Sequence, residues 1–243
     1  MTRLFYYFIQ SIFIYIFFFL GRLLGLKLSR KIFSIVFNIA GHKFKSKKII
    51  NKNLSIFSKN LSTIDRDFII ESMWKNYGMT FIEYVFLKKF RKENSHINIV
   101  GEKILEKIIE KNKPVIFVSG HFANFELMSM EITKKNIKLA TIYRPLNNIF
   151  LNPFMEYLRK KYVCKNQIKK GLKGVKDTMG YINKNHSIAL MIDQRVSEGE
   201  KINFFNEKAF TTTLPAQLAL KFNMSIIPVF IQRERNNTFK LEF

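Results

Sequence analysis

One short segment concentrates the residue types that move protons. Gly120-His121-Phe122-Ala123-Asn124-Phe125-Glu126 sets a histidine just after the apolar run Val115-Ile116-Phe117-Val118, with a carboxylate five residues later. A histidine can take a proton from a hydroxyl and return it to a leaving group. It does so best when a carboxylate on its other ring nitrogen fixes the tautomer and stabilises the imidazolium. Glu126 falls about 1.4 turns into the helix after the histidine, and local geometry can turn it back toward the ring. His121 and Glu126 are therefore the expected catalytic pair. The competing reading is structural, with His121 capping the helix or bridging backbone groups.

Other candidates lie at comparable places. Arg144, in Tyr143-Arg144-Pro145-Leu146-Asn147-Asn148, offers a planar fork for a phosphate, a carboxylate or a developing oxyanion; alternatively it pairs a structural carboxylate. Asp193-Gln194-Arg195 ends a wholly apolar run, where a charge must be solvated or paired. That makes Asp193 a pocket wall or a loop cap. His42, His96 and His186 read as surface histidines. The single cysteine, Cys164, excludes an intrachain disulfide framework and a cysteine-based zinc cage, and no second well-spaced histidine completes a metal site. Gly171-Leu172-Lys173-Gly174 is a phosphate contact or a plain turn.

These residues need a scaffold, and the pattern from residue 97 onward supplies one. Short apolar runs at 97–100, 115–118, 139–143, 188–192 and 226–231 alternate with helix-spaced segments at 102–111, 124–135, 152–158, 171–183 and 214–222. Alternation of this kind predicts an α/β fold with a mostly parallel central sheet flanked by helices. Sites in such sheets lie beyond the carboxyl ends of the strands, where His121, Arg144 and Asp193 all fall. Pro228 marks the 226–231 strand as an edge or a bulge. Residues 29–96 read as helical.

The chain opens on an uncharged stretch, Leu4 to Leu20, interrupted only by Gln10 and Ser11 and succeeded by Arg22, Lys27, Arg30, Lys31, Lys43, Lys45, Lys47 and Lys48. Seventeen residues span about 25 Å as a helix, near the minimum for a bilayer core. Basic residues on that flank keep the rest of the chain in the cytoplasm. Spanning, lying in the interface and being a buried core helix are the three readings. The expected division is an anchor over 1–26 and a catalytic domain over 27–243. The 41 basic and 18 acidic residues give a net charge of +23. Such a chain attracts polyanions: anionic lipid, an acidic protein or nucleic acid. The lysines are scattered and no nucleic-acid motif appears, which argues against a specific nucleic-acid partner.

An apolar N-terminal segment, GHFANFE after a strand, YRPLNN, MIDQ, FFNEKAFTTT and a PVF strand occur in that order. Together they resemble the late acyltransferases of lipid A biosynthesis, the lauroyl/myristoyl transferases of lipopolysaccharide assembly in Gram-negative bacteria. The resemblance implies a glycerolipid-acyltransferase-like fold. It also implies transfer of a fatty acyl chain from an acyl-carrier-protein thioester to a hydroxyl of a lipid A precursor, at the cytoplasmic side of the inner membrane. The family's catalytic histidine and acid map onto His121 and Glu126. Its arginine block maps onto Arg144 and its post-strand aspartate onto Asp193; with Asn147, Asn148 and Gln194 beside them, these are the expected substrate-binding or oxyanion residues. The implied partners are acyl carrier protein, an anionic glycolipid acceptor and the membrane; no metal or bound cofactor is implied, with an acyl-carrier-protein or coenzyme A thioester as co-substrate. Two departures stand out. Family members continue past the point corresponding to Phe243, so the chain reads as a fragment or a short form. The glycine-bearing version of the FF block reads Phe205-Asn206-Glu207 here. A hydrolase using the same residues on water, or an acyltransferase for another glycolipid or phospholipid, is the alternative.

Overall fold

The computed structural model describes residues 2–43, 46–196 and 199–243; Lys45 of the basic flank and the His42 side chain lie outside the described part. Two compact units are present. One comprises the chain up to Ile12, Leu87–Gly199 and Thr211–Phe243; the other comprises Phe13–Phe86 and Glu200–Phe210.

The first unit is the α/β unit. Its five-stranded sheet runs in the order β4 (Asn166–Lys169), β3 (Leu139–Tyr143), β5 (Ser187–Met191), β2 (Ile116–Ser119), β8 (Ile226–Pro228), and every pairing is parallel. β2 is buried along its whole length, as a continuous apolar run requires when both faces are covered. Ile116, Val118, Ala140, Ile168, Ile188 and Leu190 meet Ile182 of α8 (Leu172–Asn183) and Leu218 of α9 (Leu214–Phe222) in one core cluster. α5 (Glu102–Lys111), α6 (Glu126–Lys134) and α7 (Asn152–Leu158) complete the alternation, with the short α4 (Leu87–Lys92) ahead of it.

The 226–231 run divides at Val229. β8 takes the sheet edge, where Pro228 can sit without a backbone donor. β9 (Phe230–Arg233) instead joins a second sheet of three strands, β1 (Ile97–Val100), β10 (Phe239–Glu242) and β9. The first strand read from the sequence and the second half of the last therefore lie outside the main sheet. β1 and β10 pair in parallel, while β10 and β9 form an antiparallel hairpin.

The second unit is helical. The first helix, α1 (Thr2–Ala40), breaks its helical backbone at Gly25, with φ 76° and ψ 165°, one residue inside the expected end of the anchor. Across the break, Ser29 Oγ donates to the Gly21 carbonyl at 2.6 Å and so supplies a donor where the helix ladder is interrupted. The part of α1 beyond Ile12 packs with α3 (Thr63–Glu83) through a cluster of rings. Phe81 lies 5.0 Å from Phe18, 5.9 Å from Phe33 and 5.4 Å from Phe37. Arg30 Nε donates to Glu83 Oε1 at 2.6 Å inside this packing. α2 (Lys47–Phe57) and an antiparallel hairpin, β6 (Glu200–Phe204) and β7 (Glu207–Thr211), belong with it.

Close approach of α1 and α3 depends on missing side chains. A Cβ on Gly78 would collide with the Phe33 carbonyl oxygen, which is backbone and cannot swing away. Gly180 of α8 has open space around it. Gly78→Ala should therefore lower stability by about 1–3 kcal/mol through overpacking. Gly180→Ala should raise it by up to about 1 kcal/mol through helix propensity. Urea unfolding of the two variants in one detergent checks this; equal effects would contradict the packing account.

Candidate active site

Strand register assembles the site. In the β2–β5 pair, Ser119 lies opposite Met191. Two residues beyond each lie His121 and Asp193, so neighbouring strand ends deliver the two side chains to the same edge. Asp193 then uses both carboxylate oxygens on one residue. Oδ1 accepts from His121 Nδ1 at 2.8 Å, and Oδ2 accepts from the His121 backbone N–H at 2.9 Å. With Nδ1–H donating to the carboxylate, Nε2 carries the lone pair. Gln194 Nε2 stands 3.5 Å from it, at the limit of a hydrogen bond.

The loop between β2 and α6 fits tightly around this pair. The Phe122 ring lies over Gly120, where a Cβ would come within 2.8 Å of it. Ala123 holds φ 41°, a left-handed conformation uncommon for a residue with a side chain. Phe125 meets the imidazole edge to face, with centroids 4.7 Å apart. His121 and Asp193 each keep about a third of their side-chain surface exposed, so a substrate can reach them. Burial pushes the Asp193 carboxyl up, but the hydrogen bonds from the His121 ring and backbone and the imidazole's charge outweigh it, leaving it below the ordinary aspartate range. The pairing therefore stabilises the fold above the unfolded-state value, and that contribution is lost as pH falls through the lower folded value.

The other expected site residues have different surroundings. Glu126 is the first residue of α6 and is buried; its Oε1 accepts from Arg159 Nε at 2.7 Å. The carboxylate on the imidazole Nδ1 is thus the aspartate from the neighbouring strand, in place of the glutamate expected from the local spacing. Nearby in sequence does not mean nearest in space, because α6 begins at Glu126 and carries it inward. Arg159 was not among the sequence candidates. It opens a wider helical turn, Arg159–Val163, that continues α7 and closes with Cys164 N–H donating to the Arg159 carbonyl. Its guanidinium also lies 5.8 Å from the centre of the Tyr143 ring. Within the run Arg159-Lys160-Lys161, nothing in the sequence marks it out from a solvated basic face.

The loop after β3 divides its work. Arg144 and Asn147 are exposed, and among the described residues Arg144 has no side-chain partner. β3 neighbours β5 in the sheet, so Arg144, Asp193 and His121 come after the ends of three consecutive strands. Asn148 is buried and fully engaged within the protein. Its Nδ2 donates to the Tyr7 carbonyl at 2.8 Å and to Gln10 Oε1 at 2.9 Å, and its Oδ1 accepts from the backbone N–H groups of Phe150 and Leu151. Phe150 also packs edge to face on Phe8, 5.5 Å between centroids. Asn148 thus ties the loop to the first turns of α1 and has no hydrogen-bonding group left for a substrate.

Behind this edge, Glu156 accepts from Tyr143 Oη at 2.6 Å and from Asn152 Nδ2 at 2.9 Å, with Lys169 at 3.4 Å. Burial raises the Glu156 carboxyl, but these donors outweigh it and hold it below its ordinary value. A cavity of about 360 Å³, lined in part by Arg91, Lys138, Lys165 and His186, opens where the strands begin and does not include His121. Cys164 lines it but is buried. Burial pushes its thiol up to about 11, and Sγ donates to the Leu139 carbonyl at 3.2 Å. At pH 8 about one thiol in a thousand is ionised, so iodoacetamide should leave native Cys164 unmodified and label it after unfolding. Rapid labelling of the native protein, read by mass spectrometry, would contradict this environment.

A search of the curated proteins finds no match. The family described as bacterial lipid A biosynthesis acyltransferase matches residues 2–243. With a match across essentially its whole length, the chain belongs to the bacterial lipid A biosynthesis acyltransferase family.

Proposed function

We propose that the protein moves a fatty acyl chain from an acyl-carrier-protein thioester to a hydroxyl of a lipid A precursor. The observation that carries this reading is the His121–Asp193 pair, with the Nε2 lone pair turned away from the carboxylate, at the carboxyl edge of the parallel sheet in a chain of this family. Nε2 takes the proton of the acceptor hydroxyl as its oxygen attacks the thioester carbonyl carbon. Asp193 stabilises the imidazolium that forms. The tetrahedral intermediate collapses with cleavage of the C–S bond, and the imidazolium returns the proton to the departing sulfur. The products are an ester and a free thiol. A thioester is already activated, so this sequence needs no metal and no bound cofactor. Arg144, exposed at the same edge, faces phosphate on the acceptor or the developing oxyanion. The His121 imidazole acts directly on the acceptor, without a covalent acyl-enzyme at the buried Cys164.

The setting supports a membrane enzyme at the cytoplasmic face of the bacterial inner membrane. α1 is long and apolar enough to cross a bilayer, and most of its apolar stretch remains uncovered by protein. Leu4, Phe5, Tyr6, Phe13, Phe19 and Leu23 are among its exposed side chains. Tethering confines enzyme and lipid acceptor to one surface. The Asn148 contacts favour the interfacial reading of this helix over a spanning one, since its first turns hold the Arg144 loop and so share a side with the catalytic residues. The net charge of +23 suits both an acidic carrier protein and a phosphorylated lipid.

His121→Ala and Asp193→Asn should each lower turnover by about 10²–10⁴ while leaving the fold intact. Glu126→Gln breaks a buried pair and should cost about 3–5 kcal/mol of stability, with activity falling alongside. Purified protein is assayed with acyl carrier protein thioester and a lipid A precursor, with products read by mass spectrometry. Undiminished transfer in His121→Ala would remove the mechanism. Thioester loss to water with no acylated lipid would favour the hydrolase.

A further inference from the structure

Three exposed phenylalanines of the helical unit, Phe57, Phe204 and Phe205, gather at one place. The β6–β7 hairpin turns through Phe205 and Asn206, with φ of 50° and 62°. Left-handed backbone at a two-residue hairpin turn is the ordinary setting of Asn and Gly, which explains Asn206. A phenylalanine there is strained, because its Cβ crowds the backbone. Yet the strained ring is not buried in a core. Phe205 remains 49% exposed and Phe204 61% exposed, with their rings edge to face at 4.7 Å. Phe57, at the end of α2, meets Phe205 at 5.6 Å and is itself 59% exposed. Ile202 shares the hairpin face of Phe204 by two-residue alternation and is also exposed.

The charges around these rings point to the occupant. Glu200 and Glu207 offset Lys201 and Lys208 on the hairpin. α2 has no acidic residue and contributes Lys47, Lys48 and Lys52, with Lys59 just after it, all exposed. Aromatic rings in a basic surround match the boundary between headgroups and acyl chains of an anionic bilayer. Rings settle at that depth, and nearby lysines gain from the negative surface. Residues 13–40 of α1 belong to the same unit, so the membrane reading of α1 already brings a bilayer to it.

We propose that Phe57, Phe204 and Phe205 form a second membrane contact that dips into the interfacial layer of an anionic leaflet. It rests on the membrane reading of the proposed function and uses residues outside α1 and outside the His121 site. The test is a Cys164→Ala, Asn206→Cys full chain carrying an environment-sensitive dye at position 206, reconstituted in vesicles with and without phosphatidylglycerol. In anionic vesicles the emission should shift to the blue and be quenched by nitroxide-labelled lipid. Replacing Phe57, Phe204 and Phe205 by serine should abolish both responses, and the same dye at the exposed Leu172 should show neither. An unshifted, unquenched dye at 206 in anionic vesicles overturns the proposal. So does a blue shift that grows with protein concentration in detergent alone, which would assign the cluster to a second copy of the chain. The α1 anchor is read separately, as carbonate-resistant sedimentation of the same vesicles. Sedimentation with an unshifted dye defeats only the second contact, and a shifted dye on protein stripped by carbonate defeats only the anchor.

Discussion

The carboxylate of Asp193 joins the ends of two neighbouring strands through one histidine. One oxygen holds the His121 ring nitrogen and the other holds its backbone N–H. A carboxylate with both oxygens committed to one residue has little rotational freedom, and the imidazole inherits that order. The order sets the tautomer, and with it which ring nitrogen is left to accept a proton. Much else at the site serves this arrangement. Gly120 makes room for the Phe122 ring, Ala123 accepts a left-handed turn, and the β2–β5 register sets the two side chains level.

A second acidic residue is held in a different way. Glu126 is sequestered at the start of α6 with the Arg159 guanidinium, and removing one partner of such a pair is costly for the buried carboxylate. The pair links α6 to the end of α7, and the wide turn after α7 aims Arg159 at it. Two carboxylates thus stand near one histidine in sequence or in space with distinct contacts: one holds the imidazole, the other pairs with Arg159 at the start of the helix that comes after it. Asn148 does comparable fastening in the loop after β3, where it connects the Arg144 loop to the first turns of the apolar helix. Family membership over residues 2–243 makes the chain a lipid A biosynthesis acyltransferase, and the proposed mechanism assigns its acyl transfer to this framework.

The strands of the main sheet were legible where both faces are covered, because a continuous apolar run has no other explanation at that length. β4 was not legible: Asn166-Gln167-Ile168-Lys169 holds one apolar residue, as an edge strand can. The β6–β7 hairpin was missed for a related reason, since its strands are exposed and mix charges with rings. Pro228 did signal an edge, and β8 is one. His121, Arg144 and Asp193 were found as post-strand residues. Their partners were not, because register is a property of the folded sheet. Spacing alone favoured Glu126 as the carboxylate on the imidazole, while the neighbouring strand placed Asp193 there. Arg159 and the engagement of Asn148 left no signal, as a basic run and a loop amide look alike whether solvated or locked.

The central claim is that Asp193 fixes the imidazole with Nδ1 protonated and Nε2 free. Nitrogen-15 NMR of histidine-labelled protein reads this directly, and His121→Gln identifies the signal among the four histidines of the chain. At a pH where the ring is neutral, wild-type His121 should show the Nδ1–H tautomer. Asp193→Asn should change the tautomer balance, and Glu126→Gln should leave it in place. An Nε2–H tautomer in the wild type, or a balance that tracks Glu126 and ignores Asp193, would contradict the account.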